Sequence, residues 1–424
     1  MKKLNRTFLG LVGFLFMLMN SSAHSIVNWP TGPSPCNDIN DLESCLNGVS
    51  DGEIVEIRAN AIPSQSGISV SPAKSFTLRA ASGFTPVFAS FTSLTFIGSD
   101  DDITVVIEGI TIQVGNILGV QAGMGTFNVT YRDNVLEDSL FRNALEIRSG
   151  NSNPPYGPVI FLIEGNILTV EDETVSGIYA GGFQGNGNQG TISNNLITAT
   201  NTGQASTILA TVSSASYSVD IIGNEINGQG FNSGIDLRLS GSGGFLNSRI
   251  INNTISGQVS AAGHPAGISM TNSSNGFGHS GFLIINNTIA YNESGISLRR
   301  SSDINATHSM IIKNNIVAFN SQTGLNLGSS EPWITNDYNL IFDNTNNFYT
   351  PGINDIEQDP LLVSNVDFQL QSLSPALNAG LNSAVPEDIL TDIDGNMRIH
   401  QQDVDMGAYE SSVAIDVIFK NTFE

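Results

Sequence analysis

The sequence predicts an all-β fold, a right-handed parallel β-helix (solenoid) with about 29 residues per coil. The first observation is the phrase "IINNTI", which occurs within residues 248–258 and again within residues 282–292. The second is a marker, Asn followed two residues later by an aliphatic residue, which recurs at intervals of 32, 29, 29, 29, 34, 27 and 25 residues. A repeat of this period indicates a solenoid, because each coil buries its apolar face only against its neighbours.

Two sequence markers recur together along the repeat. The asparagine marker occurs at Asn134, Asn166, Asn195, Asn224, Asn253, Asn287, Asn314 and Asn339. A small residue followed by an aliphatic residue trails each asparagine by about ten positions, at Ala144, Gly177, Thr207, Gly234, Gly267, Gly295 and Gly324. Asn tolerates left-handed backbone angles and bonds to nearby backbone, so it suits a tight corner between strands. We therefore expect the eight asparagines to stack into a structural amide ladder.

Each unit consists of short strands. Segments after the second marker, such as "SGIDLRLS" and "SGISLRR", alternate aliphatic and polar residues, which is the period of a strand with one buried face. Segments before the asparagine, such as "SRIINN", are β-branched runs that end in turn residues. No sustained apolar stripe at helical spacing occurs between residues 51 and 348. We assign residues 52–350 to the β-helix, with coils about 4.8 Å apart.

The first 23 residues have the pattern of a secretory signal peptide. Lys2, Lys3 and Arg6 precede the apolar run "FLGLVGFLFMLM", and small residues then lead to a predicted cleavage site after Ala23. The mature protein is therefore expected outside the cell, either secreted or at the cell surface. No apolar run after residue 23 is long enough for a spanning helix.

Residues 24–51 are predicted to form an N-terminal cap. Cys36 and Cys45 are the only cysteines, and export favours a disulfide between them, which would stabilise the fold by roughly 2–3 kcal/mol. Leu42, Cys45, Leu46 and Val49 fall on one face of a short helix. Such a helix would cover the exposed edge of the first coil. "DGEIVEI", from Asp51, is predicted to start the first strand.

The C-terminal part divides into residues 351–410 and a tail of residues 411–424. "DFQLQSLSPALNAG" contains apolar residues that are too many for a solvated linker and too few for an independent core, namely Phe368, Leu370, Leu373, Ala376 and Leu377. We expect this region to pack on the last coil as a cap, burying about four large side chains. "VDMGAYE" is predicted to be a strand along the body, with Gly407 allowing close backbone approach and Tyr409 packing on it.

These features resemble the right-handed parallel β-helix proteins of the pectin-lyase-like superfamily. "DPLLVSNVDFQLQSLSPALNAG" and "TDIDGNMRIHQQDVDMGAYE" resemble the C-terminal region of secreted bacterial β-helix proteins termed choice-of-anchor Q. The ending "DVIFKNTFE" resembles a short I-F-x-x-G-F-E ending of bacterial secreted proteins, with Thr422 in place of the glycine. The resemblance implies a β-helix and an extracellular setting. It also implies polysaccharide chemistry, although neither the N-T-D nor the G-H-G element of polygalacturonases occurs here.

Charge restricts the partners. The formal net charge is −23, and loss of the signal peptide would take it to about −26. A chain this acidic is not expected to bind nucleic acid. It also repels polyuronates at long range unless Ca²⁺ bridges the two, whereas neutral glycans meet no such repulsion.

Candidate functional residues lie on the strand that follows each second marker. Positions that alternate with the core aliphatics point outward, and in coil order they are Glu146/Arg148, Tyr179/Gly181, Leu209/Thr211, Asp236/Arg238, Ser269/Thr271, Ser297/Arg299 and Asn326/Gly328. Glu146, Arg148 and Tyr179 are candidate glycan-binding residues. Asp236, Arg238 and Arg299 are the candidates for catalysis, which would need a base and a charge neutraliser. The alternative is that all are solvated side chains on an exposed sheet.

Evidence for a metal is confined to "TDIDGN". Asp392 and Asp394 resemble half of a Ca²⁺ loop, but no glutamate completes it at the required spacing. The alternative is a turn held by aspartate side chains, with Arg398 paired to Asp403 or Asp405. No cofactor is expected other than this Ca²⁺. Two functions stay open: a non-catalytic protein that binds glycan or other partners, and a polysaccharide lyase, epimerase or hydrolase.

Overall fold

A computed structural model of the chain describes residues 25–411, apart from 72–73, 91–92, 139–142, 151–155, 172–175, 201–204, 213–214, 229–231, 240–243, 260–264, 273–278, 301–306, 329–331 and 401. Within these residues the chain forms an all-β parallel solenoid of three sheets, which confirms the predicted fold class. The predicted signal peptide (1–23) and nearly all of the 411–424 tail lie outside the described residues.

Sheet 1 has twelve strands, and each coil adds one strand to it. Its strands are Ile26–Trp29, Glu53–Ile57, Phe76–Ala80, Ile103–Glu108, Phe127–Arg132, Val159–Glu164, Asn188–Ser193, Ser216–Ile222, Phe245–Ile251, His279–Ile285, Thr307–Lys313 and Ile334–Asp337.

Sheets 2 and 3 have eleven strands each and complete every coil. The strands of sheet 2 are Ala61–Ile62, Val87–Phe88, Thr111–Ile112, Val135–Leu136, Ile167–Val170, Leu196–Ala199, Glu225–Gly228, Thr254–Ser256, Thr288–Ala290, Ile316–Ala318 and Leu340–Phe342. The strands of sheet 3 are Ile68–Val70, Leu94–Ile97, Ile117–Gln121, Leu145–Ser149, Ile178–Phe183, Ser206–Val212, Ser233–Leu239, Ala266–Asn272, Ser294–Arg300, Thr323–Asn326 and Asn346–Phe348.

The core is built from stacked aliphatic columns. Ile250, Ile284 and Ile312 are in register on consecutive strands of sheet 1, and all three are fully buried. Because side chains alternate between faces, the residues between them point outward. The alternation read from the sequence therefore separates the inside of the solenoid from its surface.

Sheets 1 and 2 are joined by two-residue corners along most of the solenoid. The first corner residue has a left-handed backbone conformation, as in Asn252 (φ 57°). The second is usually an asparagine, and its Oδ1 accepts the backbone N–H of the equivalent asparagine in the preceding coil. The column is Asn134, Asn166, Asn195, Asn224, Asn253, Asn287, Asn315 and Asn339, with N–O distances of 2.9–3.1 Å along it. The prediction of Asn314 was wrong by one position. Asn314 is the left-handed residue (φ 57°), and Asn315 is the one that bonds to its neighbours.

A second column occupies the corner between sheets 2 and 3 in the last coils, and the sequence analysis missed it. Gln258, Asn292 and Asn320 each donate a backbone N–H to the Oδ1 of the next member, and Asn344 is the last. Each member lies five residues after an asparagine of the first column. A search for an amide side chain five residues after each asparagine of the first column would have found this second column.

The N-terminal cap contains the predicted helix, Leu42–Gly48, with Leu42, Cys45 and Leu46 buried. Asp41 caps it by accepting the N–H of Ser44 at 2.9 Å. The disulfide between Cys36 and Cys45 is present. The first strand, however, is Ile26–Trp29, which pairs in parallel with Glu53–Ile57, so the prediction that the strands begin near Asp51 was wrong. Trp29 is fully buried and anchors this edge strand.

The C-terminal region first continues the last coil and then turns onto its side. Asp355 accepts the N–H of Asn339 and so ends the first column, and Ile356 forms a parallel bridge with Leu340. The following residues pack against the outer face of sheet 2, where Phe368, Leu370, Ala376 and Met406 bury Ile316 and Leu340. The region also contains a 3₁₀ turn at Asn382–Ala384.

Two details of the C-terminal prediction were wrong. Leu373 is 85% exposed and does not contribute to the packing. Residues 404–410 form no strand, because their N–H groups go to scattered acceptors, including Ala376 O, Asn314 O and Thr288 Oγ1. Gly407 does approach the body closely (φ 93°): a Cβ there would lie 2.7 Å from Ile316 and from Thr288. Among the described residues, no helix has the length and apolar character needed to cross a membrane.

Candidate functional site

The candidate residues lie in two straight rows on the outer face of sheet 3. Parallel register places each member opposite its counterpart on the next strand. The first row is Glu146, Tyr179, Leu209, Asp236, Ser269, Ser297 and Asn326, and the second is Arg148, Gly181, Thr211, Arg238, Thr271 and Arg299. Gly328, the last predicted member, lies beyond the strand Thr323–Asn326.

The connections before and after the strands of sheet 3 contain more residues than the corner between sheets 1 and 2. The corner between sheets 1 and 2 has two residues, as at 252–253, whereas residues 257–265 join sheet 2 to sheet 3 and residues 273–278 join sheet 3 to sheet 1. In the middle of the first row, Asp236, Ser269 and Ser297 are only 2%, 5% and 4% exposed. The row is therefore more covered than an open sheet, and its ends carry the more accessible side chains.

Asp236 is held by its own strand and by its neighbour. Its Oδ2 accepts Nε and Nη2 of Arg238 at 2.8 and 2.5 Å, and the hydroxyl of Ser206 at 2.9 Å. Arg299 lies two strands from Arg238 in the second row, roughly 10 Å away at the ordinary strand spacing. Of the three candidate catalytic residues, Asp236 and Arg238 are therefore in contact, and Arg299 lies apart from them.

Glu146 and Arg148 form a second ion pair of the same type. Nε of Arg148 lies 2.9 Å from Oε1 of Glu146, and the Asn143 side chain donates to Oε2 at 2.9 Å. Both acidic side chains of the first row are therefore compensated by an arginine two residues further along the same strand. The charges of these four residues cancel in pairs, and Arg299 is a further cation of the second row.

Tyr179 neighbours this pair and lies along the sheet. Its hydroxyl is 3.2 Å from Oγ1 of Thr211, which is on the next strand and in the other row. The ring is partly exposed. The strand bulges between Gly181 and Phe183, and the N–H of Gly182 (φ 64°) donates to Thr211 Oγ1 at 3.1 Å.

Sheet 1 carries a column of alternating charges that the sequence analysis missed. In register along its outer face are Glu56, Arg79, Glu108, Arg132 and Glu164. Arg79 lies 2.8 Å from Glu56 and holds the pKa of that carboxyl below its ordinary value. Burial raises the pKa of Glu164. The last three members lie two residues before a corner residue, so the repeat would have revealed them.

The weak metal candidates, Asp392 and Asp394, have other partners. Oδ1 of Asp392 accepts the N–H groups of Asp394 and Asn396 at 3.0 and 2.7 Å, and its Oδ2 accepts the N–H of Glu410 at 2.7 Å. Asp394 accepts from the Gln369 amide. This is a turn organised by an aspartate. In the part of the chain that the structure describes, no three His, Cys, Asp or Glu residues are grouped to hold a metal ion.

Arg398 is buried behind this turn and joins it to the solenoid. It pairs with Glu410 at 2.5 Å, where Asp403 or Asp405 had been predicted, and its Nη1 donates to Asn252 Oδ1 at 3.2 Å. The carbonyl oxygen of Asp405, rather than its carboxylate, accepts from Nη2. Burial raises the pKa of Glu410 to about 8 and also raises that of Asp405.

Comparison with known proteins gave no match, either to protein-family models or to curated proteins. The pectin-lyase-like and choice-of-anchor Q resemblances therefore stay predictions from the quoted motifs. The functional argument depends on the site itself.

Proposed function

We propose that this is a secreted or cell-surface β-helix protein that binds a polysaccharide along the outer face of sheet 3. The observation that carries the proposal is the pair of straight rows, which cross seven and six strands and place a hydrogen-bonding side chain at every position except Leu209 and Gly181. A polysaccharide also repeats hydrogen-bonding groups along a line. A solenoid surface suits an extended ligand for this reason.

The charge distribution favours a glycan without charged groups. The Glu146–Arg148 and Asp236–Arg238 pairs are neutral as pairs, so of the cations in the two rows only Arg299 lies outside these pairs. The formal net charge of the whole chain is −23, which repels polyanions at long range.

The extracellular setting has two supports. One is the signal-peptide pattern of residues 1–23, and the other is the disulfide in the N-terminal cap, a bond that persists in oxidising compartments.

Catalysis is the alternative that we do not propose. An acid–base mechanism needs groups that reach the reacting atoms of a bound sugar. Asp236 is 2% exposed, and its Oδ2 is already engaged by Arg238 and Ser206. Arg299 is two strands away from that pair.

Retention of the purified mature protein on a panel of immobilised neutral and acidic polysaccharides tests the proposal. Arg148→Ala should weaken retention, because it leaves Glu146 uncompensated on the binding face. Arg132→Ala is the matched control, since it breaks the ion pair with Glu108 on the outer face of sheet 1. We expect the control to be retained like the wild type. Absence of retention on every polysaccharide, or equal loss in both variants, would contradict the proposal. Release of unsaturated or reducing sugar would establish the enzyme instead.

A further inference from the structure

We propose that Tyr179 is a stacking subsite for the face of an uncharged pyranose ring. This inference rests on the proposed polysaccharide-binding function and deepens it by naming one position and one class of sugar. Aromatic side chains offer a flat apolar surface with a polar tip. The sequence made Tyr179 a candidate only as an outward residue, and the structure adds a partner for its hydroxyl.

The ring of Tyr179 is held down on the sheet. Strand alternation directs its Cβ outward, yet its hydroxyl reaches Oγ1 of Thr211 at 3.2 Å, one strand and one row away. The same hydroxyl would lie 3.4 Å from a Cβ placed on Gly182. A side chain that spans this distance lies over the backbone of residues 181–182. The phenol is therefore held at its hydroxyl as well as at its Cβ, and the side chain stays partly exposed.

Two glycines make this orientation feasible. Gly181 lies in register between Arg148 and Thr211, and a Cβ there would come within 2.1 Å of Thr211 Oγ1. Gly182 takes the left-handed conformation (φ 64°) and donates its N–H to that same hydroxyl. A β-bulge re-aims side chains in this way, and bulges are frequent next to functional sites. The bulge therefore anchors Thr211, and Thr211 anchors the phenol.

The neighbours of Tyr179 offer both polar groups and apolar surface, and a sugar ring has polar hydroxyl groups and an apolar face. On one side, Glu146 and Arg148 offer a carboxylate and a guanidinium to hydroxyl groups at the ring edge. On the other side, Leu209 is in register with Tyr179 and extends the apolar surface by one strand. A uronate at this position would place its carboxylate beside Glu146, so an uncharged sugar is favoured.

Calorimetric titration with defined oligosaccharides tests the subsite. The probes are hexasaccharides of glucose, mannose and galactose, with an oligogalacturonate of the same length as the charged probe. We expect the wild type to bind at least one neutral probe more tightly than the charged one. Tyr179→Ala should weaken that binding about tenfold, and Tyr179→Phe, which keeps the ring, should weaken it less than about threefold.

Phe245→Ala is the matched control, because Phe245 is an exposed aromatic residue on the outer face of sheet 1 (47% exposed). Melting temperatures of all variants separate a lost subsite from a damaged fold. Thr211→Val removes the anchor and leaves the ring, so it should weaken binding even if Tyr179→Ala unfolds.

The outcomes are distinguishable. Failure of the wild type to bind any probe would overturn the proposed function and the subsite together. Neutral binding that Tyr179→Ala and Thr211→Val leave unchanged would overturn the subsite alone. Preference for the oligogalacturonate would overturn the assignment of an uncharged sugar.

Discussion

Replacing Asn253 by alanine should destabilise the solenoid more than its small change in size suggests. Asn253 is a fully buried member in the middle of the first column. Its Oδ1 accepts both the backbone N–H and the side-chain amide of Asn224, at 2.9 and 3.0 Å. Its own amide donates to Ile221 O at 2.8 Å on the preceding coil and to Asn287 Oδ1 at 3.0 Å on the following one. One side chain therefore serves three coils.

The magnitude follows from the groups that lose their partners. After Asn253→Ala, the N–H of Asn224 loses its acceptor, whereas the carbonyl of Ile221 loses the amide but stays in the strand ladder with Phe245–Ile251. The Asn224 amide keeps its bonds to Ile192 O and Ile222 O, and Asn287 Oδ1 keeps the backbone N–H of residue 253. One buried N–H left without a partner costs about 1–3 kcal/mol, so the free energy of unfolding should fall by about that amount.

Urea denaturation and amide hydrogen exchange measure the effect. The denaturation midpoint should drop, and the amide of Asn224 should lose more protection than amides of distant coils. Asn227→Ala is the matched control, because Asn227 is an exposed residue of the preceding coil and should change stability by less than about 0.5 kcal/mol. Asn134→Ala should cost less than Asn253→Ala, since Asn134 accepts only a 3.3 Å bond, from Ile110. Equal effects for Asn253→Ala and Asn227→Ala would refute the reasoning.

Three further predictions concern the C-terminal region. Burial raises the pKa of Glu410 from 4.5 to about 8, so between these pH values the folded state keeps a proton that the unfolded state releases. The free energy of unfolding should therefore fall as pH rises through this range, at up to about 1.4 kcal/mol per pH unit. Thermal melts of Glu410→Gln should show a flatter pH profile, and an unchanged profile would contradict this. Gly407→Val should lower the melting temperature, because the valine side chain would meet Ile316 and Thr288. Gly395→Val is the control for a left-handed glycine, since a Cβ there meets nothing within 4 Å. A chain ending at Asn354 should aggregate or melt earlier by exposing Ile316 and Leu340; a monomer with unchanged melting temperature would show that residues 355–411 are dispensable.

The repeat made most of the solenoid predictable. The two markers placed the corners and the strands of sheet 3, because a parallel coil puts equivalent residues one above another. The error at Asn314 arose because "NN" offers two candidates and the following aliphatics fit both. Only hydrogen bonding distinguishes them: the residue nearer the strand of sheet 1 takes the left-handed conformation, and the next one points its amide along the column.

Other features depend on contacts that no local pattern encodes. Arg398, which pairs with Glu410, donates to Asn252, which is 146 residues away in the sequence. Asp388 binds Arg249, which also pairs with Asp220, and no spacing rule connects these three. The position of the C-terminal region against sheet 2 follows from such pairs and from the stack of Phe368 on Tyr291.

The three outer faces differ in what already occupies them, and this difference identifies the face that is left for a ligand. In the last coils the outer face of sheet 2 is covered by residues 355–411, through Phe368, Met406 and their neighbours. On the outer face of sheet 1, the column of alternating charges forms ion pairs within the sheet. Further along this face, Arg249 pairs with Asp388 of the C-terminal region. The outer face of sheet 3 has no contact with the C-terminal region among the contacts described for residues 355–411, and its first row crosses seven strands. A face kept polar, straight and free of the protein's own C-terminal region is the one on which an extended glycan can lie.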